Sequence, residues 1–331
     1  MRKLLFCMAL ILALPAFATS DEILDAAART KAIQYSADMY DKLFYEPAIG
    51  KKIAALLRSR LREGAYDQIT SARDLAEHVN ADIHSLTTDH HTGLRFFDDD
   101  QGDAVSPDTP PQAPDQVRMA AQASRQLESL KKQNFYFRKQ ERLPGNIAFI
   151  EFDGFAPLDF ARDTAIKWMN QAADADALIF DLRENGGGNS ALGTLLASYL
   201  FEERVLLDTS YDRKDNTRIE NWTDPAVPGP RFGSKKPVFI LTSKETFSAA
   251  ERFIYVLKAR NRVTVIGEKT AGGAHRGYGT NVSHHLVNML AIGHSVTPGF
   301  EKDWEGVGIT PDIEVAPTQA LDKALTLART K

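Results

Sequence analysis

The sequence predicts an α/β core preceded by a helical N-terminal domain. Three observations carry that reading. From Asn146 onward, strand-like apolar runs alternate with helical segments. Two of those runs, Ala177–Leu182 and Pro237–Thr242, are nearly continuous in apolar residues, as in strands covered on both faces. Residues 22–85, by contrast, repeat their apolar positions at helical spacing. Strand–helix alternation of this kind argues for a largely parallel sheet with crossover helices.

In chain order, Ile23, Leu24, Ala27 and Ala28 open the helical region, and Ile53, Leu56, Leu57 and Leu61 continue it. Pro47 and Gly50 break the pattern between the two groups. Ser71, with Asp74 three residues on, marks another helix start as an imperfect capping box. Residues 98–116 read as a linker, because Asp98, Asp99 and Asp100 are followed by Pro107, Pro110, Pro111 and Pro114 with almost nothing apolar. A helix is expected from Val117 to Gln133. The core then offers a strand over 147–152, a helix over 158–173, a strand over 177–182 and, after Gly186-Gly187-Gly188, a helix over 190–201. A strand over 237–242, a helix over 248–258, a strand over 263–266, short β-rich segments and a last helix over 318–328 complete it. The expected domains are therefore 19–97 (helical, ending in a histidine-bearing loop), 98–145 (linker and helix) and 146–331 (α/β core).

The first twenty residues stand apart. Arg2 and Lys3 precede an apolar run from Leu4 to Leu14, and Ala16-Phe17-Ala18 supplies small residues at the cleavage positions. This is a signal-peptide pattern over 1–18, so a secreted or periplasmic protein cleaved near Ala18 is expected. The run is shorter than the roughly 20 residues a bilayer-spanning helix needs. Cys7 is the only cysteine, so the mature chain has no disulfide, no thiolate metal site and no cysteine nucleophile. A net charge of −4, with 40 basic residues in no long run, gives no reason to expect nucleic acid or an anionic membrane as partner.

Four segments carry candidate chemistry. Ser248, in Thr246-Phe247-Ser248-Ala249-Ala250-Glu251, starts a helix after a buried strand; unpaired N–H groups and the helix dipole there suit an oxyanion beside a hydroxyl. An ordinary N-cap serine has the same position. Asp181-Leu182-Arg183-Glu184-Asn185-Gly186-Gly187-Gly188 allows close backbone approach to a ligand, but lacks the P-loop lysine and the dinucleotide glycine spacing. It is equally compatible with a plain tight turn or with an oxyanion donor. Thr88-Asp89-His90-His91-Thr92-Gly93 offers adjacent histidines, poor joint metal ligands, as a surface turn or a base. Trp304-Glu305-Gly306-Val307-Gly308-Ile309-Thr310-Pro311-Asp312 is a structured loop whose carboxylate could orient a histidine.

With Gly267-Glu268-Lys269-Thr270-Ala271-Gly272-Gly273, these motifs resemble, in order, those of the tail-specific (C-terminal-processing) serine peptidases. The similarity covers about residues 84–316 and is greatest to the branch of the tricorn core protease and the interphotoreceptor retinoid-binding protein repeats. The resemblance implies a crotonase/Clp-protease-like α/β core, Ser248 as nucleophile, a polypeptide substrate, and no metal or organic cofactor. It does not define an oligomeric state.

Processing proteases of this family with a Ser–Lys dyad carry the lysine roughly 25 residues after the serine. Here Ala271-Gly272-Gly273-Ala274-His275 occupies that neighbourhood, and Lys269 is the nearest lysine. The tricorn-like branch implies instead a histidine base upstream and a glutamate near the last motif. His91 matches the first position, and Glu305, 57 residues after Ser248, matches the second. The resemblance further implies oxyanion donors at Ala249 and Gly187. In tricorn a serine precedes the base histidine and relays its contact to the glutamate; His90 stands there in this chain, and is the rival base. His275, His284, His285 and His294 read as surface or packing residues. Two other functions share the fold: a non-catalytic module that binds hydrophobic ligands, and a non-peptide esterase.

Overall fold

The computed structural model describes residues 21–102, 116–300 and 302–330. The signal-peptide segment and most of the proline-rich linker lie outside the described residues.

Helices α1 (Ala26–Leu43), α2 (Pro47–Arg62) and α3 (Ala72–His84) come first. Asp25 caps α1 by accepting the Ala28 N–H at 2.7 Å, and Ser71 caps α3 by accepting the Asp74 N–H at 3.1 Å. Their apolar stripes bury Ile33, Tyr40, Ile53, Leu57, Leu75 and Val79 in one core. That core is shared with strand β1 (Gly93–Phe96) and with residues much later in the chain, Leu286, Leu290 and Ile292.

After α4 (Gln116–Lys132) the chain forms β2 (Phe137–Leu143), β3 (Ile147–Phe152), α5 (Leu158–Ala172), β4 (Ala177–Asp181) and α6 (Ser190–Ser198). It continues through β5 (Leu206–Asp212), β6 (Thr217–Trp222), β7 (Val238–Thr242), α7 (Ala249–Lys258) and β8 (Thr264–Gly267). Strands β9 (Arg276–Asn281), β10 (Leu286–Val296) and β11 (Ile313–Glu314) lead to α8 (Pro317–Arg329). Six strands make one sheet in the order β11-β8-β7-β4-β3-β2. All its pairs are parallel except β2–β3.

The period-2 alternation of this sheet divides its side chains between two cores. Ile150, Phe180 and Ile240 pack with α5, α6 and α7 residues such as Met169, Leu196 and Phe253. Phe149, Ile179 and Leu241 pack on the other face with Ala320 and Ala324 of α8. Covering on both faces is why β4 and β7 are buried at every position and apolar up to Asp181 and Thr242 at their carboxyl ends.

A second sheet runs β1-β10-β5-β6, with β9 also on β10, and every pair is antiparallel. It joins the two halves of the chain. β1 pairs with β10 across Gly93–Met289, the Tyr40 hydroxyl donates to the Met289 carbonyl at 2.9 Å, and the Tyr45 N–H donates to the Ala291 carbonyl at 2.8 Å. The loop ending at Thr92 is thereby carried to the α/β core.

Helix α7 is tied to the antiparallel sheet by a buried ion pair. Arg252 of α7 donates to both oxygens of Asp208 on β5, at 2.6 and 2.7 Å, with side-chain exposures of 9% and 0%. Asp208→Ala leaves that guanidinium buried without its carboxylate. The expected cost is about 3–5 kcal/mol, read as a clear drop in thermal midpoint; an unchanged midpoint contradicts it.

Candidate active site

The parallel strands all point their carboxyl ends at one rim, where ligands bind in open α/β sheets. From that rim hang the loops after β4 (182–189), β7 (243–248) and β8 (268–275). Asn185, fully buried, pins the first two together. Its amide donates to the Phe152 carbonyl at 2.7 Å, its side-chain oxygen accepts the Gly187 N–H at 3.0 Å, and its carbonyl accepts the Phe247 N–H at 3.0 Å.

Ser248 is the residue before α7, with φ 54° and ψ −117°. A non-glycine residue in that region stores about 1–3 kcal/mol of strain and needs surroundings that enforce it. Glu251 supplies them. Fully buried, its carboxylate accepts the Ser248 N–H at 2.9 Å, the Thr270 hydroxyl at 2.5 Å, and the N–H groups of Gly272 and Gly273 at 2.7 and 2.8 Å. Burial pushes its carboxyl above the usual range, opposed by those hydrogen bonds. One side chain thus locks the serine to the loop after β8. The Ser-x-x-Glu spacing is a capping-box signature, a sequence signal that went unread.

The Ser248 hydroxyl lies 3.1 Å from His91 Nε2, so the structure brings these two expected residues together from positions 157 apart in the chain. The His91 ring is 8% exposed and stacks on Phe247, with centroids 4.9 Å apart at 21°. Gly273 makes this stack possible: a Cβ there would stand 2.2 Å from the Phe247 ring and 2.8 Å from His91 Cε1. Burial pulls the His91 imidazole down to about 4, and the charge of His275 adds to this while that of Asp89 opposes it. The ring is neutral near pH 7 and ready to accept a proton. Its Nδ1 is buried and makes no hydrogen bond among the described residues. His90, the rival base, stacks 6.5 Å from Phe247, and no hydrogen bond joins its ring to Ser248.

Glu305 stands at the site but not against the His91 ring as expected. One carboxylate oxygen accepts the His90 N–H at 3.0 Å, and the other accepts those of Ala274 and His275 at 2.6 and 3.3 Å. It holds the backbone of both loops that flank the base. Desolvation, then the charge of Asp89, pushes its carboxyl upward.

Ala249 is the first residue of α7, so its N–H has no intrahelical acceptor. Gly187 (φ +95°) is packed against Ser248, where a Cβ would lie 2.8 Å from the serine Cβ. Its N–H, however, is already donated to Asn185, so the oxyanion donor expected there is engaged. Gly188, rather than Gly187, lines the cleft with Ser248 and Ala249.

His275 corrects the reading of the later histidines as surface or packing groups. It is buried, with Nδ1 2.5 Å from Asp89 and 3.4 Å from Glu305, and Nε2 3.2 Å from Asp303. Asp89, His275 and Glu305 bring metal-ligand-type atoms within 4.8 Å of one another, but here the ring donates to the carboxylates. Nothing in the sequence around His275 distinguished it, because its partners lie 186 residues before it and 28 and 30 after it. The cleft beside the serine holds about 590 Å³ and is walled by β5, β6 and β10 residues including Tyr211, Ile219 and His294.

A helix-start serine held in a strained turn, with a buried neutral histidine at its hydroxyl, is the arrangement of a serine hydrolase. Residues 146–315 match peptidase family S41, and residues 13–136 match the N-terminal domain of that family in eukaryotic IRBP. The chain belongs to peptidase family S41. It is 26% identical over 139 residues to carboxyl-terminal-processing peptidase 2, chloroplastic, of Arabidopsis thaliana, covering 42% of this chain and 26% of that protein. The chain thus spans about a quarter of the length of that relative. Its fold is similar to that of a Parabacteroides merdae protein (18% identity, TM-score 0.58, 91% of this chain and 96% of that one). It is also similar to that of the tricorn protease (13% identity, TM-score 0.55, 92% and 37%). Among the described residues, no helix is long and apolar enough to cross a membrane.

Proposed function

We propose that this chain is an exported endopeptidase that hydrolyses peptide bonds by acyl transfer through Ser248. The observation that carries the reading is the 3.1 Å contact between the Ser248 hydroxyl and the neutral His91 Nε2. In this mechanism His91 takes the hydroxyl proton as the oxygen attacks the peptide carbonyl, then gives it to the leaving amine, and water hydrolyses the acyl-enzyme. The oxyanion is held by the Ala249 N–H and a donor of the glycine turn, each such donor contributing about 10²–10³ in rate. With Gly187 engaged by Asn185, Gly188 is the better-placed glycine. Glu305 acts by fixing the loops that carry the base, since its bonds run to their backbone.

The test is hydrolysis of an unfolded polypeptide beside p-nitrophenyl esters, followed against pH. Polypeptide cleavage supports the peptidase; ester cleavage alone supports an esterase, and neither supports a binding module. A base works only when neutral, so activity falls as pH drops through the His91 value of about 4, below the ordinary histidine value of about 6.5. An acid limb at 6.5 or above contradicts the assignment of His91.

A further inference from the structure

We propose that His275 is a positioning residue for the reaction assigned to Ser248 and His91: its ring gathers Asp89, Asp303 and Glu305 behind the base and so fixes where the His91 ring stands. This rests on the peptidase reading of the site. The geometry defines the charge of the ring. Nδ1 faces Asp89 at 2.5 Å and Glu305 at 3.4 Å, and Nε2 faces Asp303 at 3.2 Å. Ionised carboxylates only accept hydrogen bonds, so both nitrogens carry protons and the ring is an imidazolium.

That cation reaches the base through two grips. Asp89 accepts the His91 N–H at 2.8 Å with its other oxygen, and Glu305 accepts the His90 N–H at 3.0 Å. Without the cation, Asp89 and Glu305 would face one another as like charges in a nearly water-free pocket. The His275 and Asp89 side chains are 4% and 2% exposed, and the Tyr45 ring closes over His275 at 4.1 Å. A cation against an aromatic ring is itself favourable. The other titratable neighbours, His91 and His294, are both held below the ordinary histidine value, first by burial and then by, among others, the charge of His275.

Burial alone would lower the His275 value, but the hydrogen bonds to Asp303 and Asp89 and the charges of Asp89 and Glu305 outweigh it and raise it to about 9. The cluster is therefore intact below about pH 9 and loses its cation above. His275 borders the cleft, but both its ring nitrogens are taken up by carboxylates, so the loss falls on kcat rather than KM. Misplacing a catalytic group by an ångström costs on the order of 10²-fold.

The experiment measures fluorophosphonate labelling and hydrolysis of unfolded casein against pH for wild type, His275→Asn and Asp303→Asn. His275→Asn keeps a donor for Asp89 but no charge. It should lose at least about tenfold in kcat at pH 7 with little change in KM, and lose the alkaline fall near pH 9. Asp303→Asn keeps the ring but removes one stabilising carboxylate at the half-exposed side of the cluster, and should move the alkaline fall to lower pH. A His275→Asn enzyme with wild-type kcat and the wild-type alkaline limb overturns the proposal. If that variant does not fold, an unmoved limb in Asp303→Asn overturns it. A wild type that is not labelled at Ser248 overturns the peptidase reading and this inference together; labelling of the wild type separates the two.

Discussion

Ser248→Ala should reduce polypeptide hydrolysis by about 10⁴–10⁶-fold and leave the fold intact. The side chain being removed is small, and its hydroxyl faces His91 Nε2. The restraint on the backbone comes from the Glu251 carboxylate, which binds the Ser248 N–H rather than its hydroxyl. Alanine can therefore take the same strained φ, and the thermal midpoint should stay close to that of the wild type. Residual activity should be of the kind that oxyanion donors and substrate binding give without a nucleophile. Activity near the wild-type level would remove Ser248 from the chemistry. A collapsed midpoint would show that the hydroxyl, not Glu251, holds the turn.

His91→Ala should cost a comparable factor, and the double variant should be no worse than either single one. Groups that act as one unit are not additive, because removing either abolishes the step they share. His91 also stacks on Phe247, so its truncation loses packing as well as a base. His91→Asn, closer in volume, separates the two effects: catalysis should fall as far, with a smaller loss of thermal midpoint. Two variants whose losses multiply in the double variant would mean that His91 and Ser248 act in different steps.

How far this was legible in the sequence depended on the range of each interaction. Strands β4 and β7 were plain because burial on both faces leaves an unbroken apolar run. The antiparallel sheet was only glimpsed as short β-rich segments. Its strands β6 and β9 are largely exposed, β5 mixes polar with apolar positions, and β9 carries Gly277 and Gly279. Its pairings also join β1 to β10 across almost two hundred residues. That Ser248 and His91 meet followed from the resemblance of the motifs taken in order, since read locally they were a helix cap and a surface turn. Glu305 was correctly placed near the site, but its partner was not, since a carboxylate binding backbone N–H groups leaves no residue pattern. Gly187 was legible as the glycine beside the serine; that Asn185 occupies its N–H is a fact of turn geometry. His275 was missed because its surroundings come from three other parts of the chain: Tyr45, Asp89 and the 303–305 loop. Glu251 lay in the quoted motif without a role assigned to it, and its bonds to Thr270, Gly272 and Gly273 appear only once β8 is beside α7.

The most direct test of the central claim is to treat the full chain with a fluorophosphonate probe at pH 7 and to locate the adduct by peptide mass spectrometry. The predicted result is one adduct on Ser248, absent from Ser248→Ala and strongly slowed in His91→Asn. An unlabelled protein, or an adduct on another residue that persists in Ser248→Ala, would contradict it.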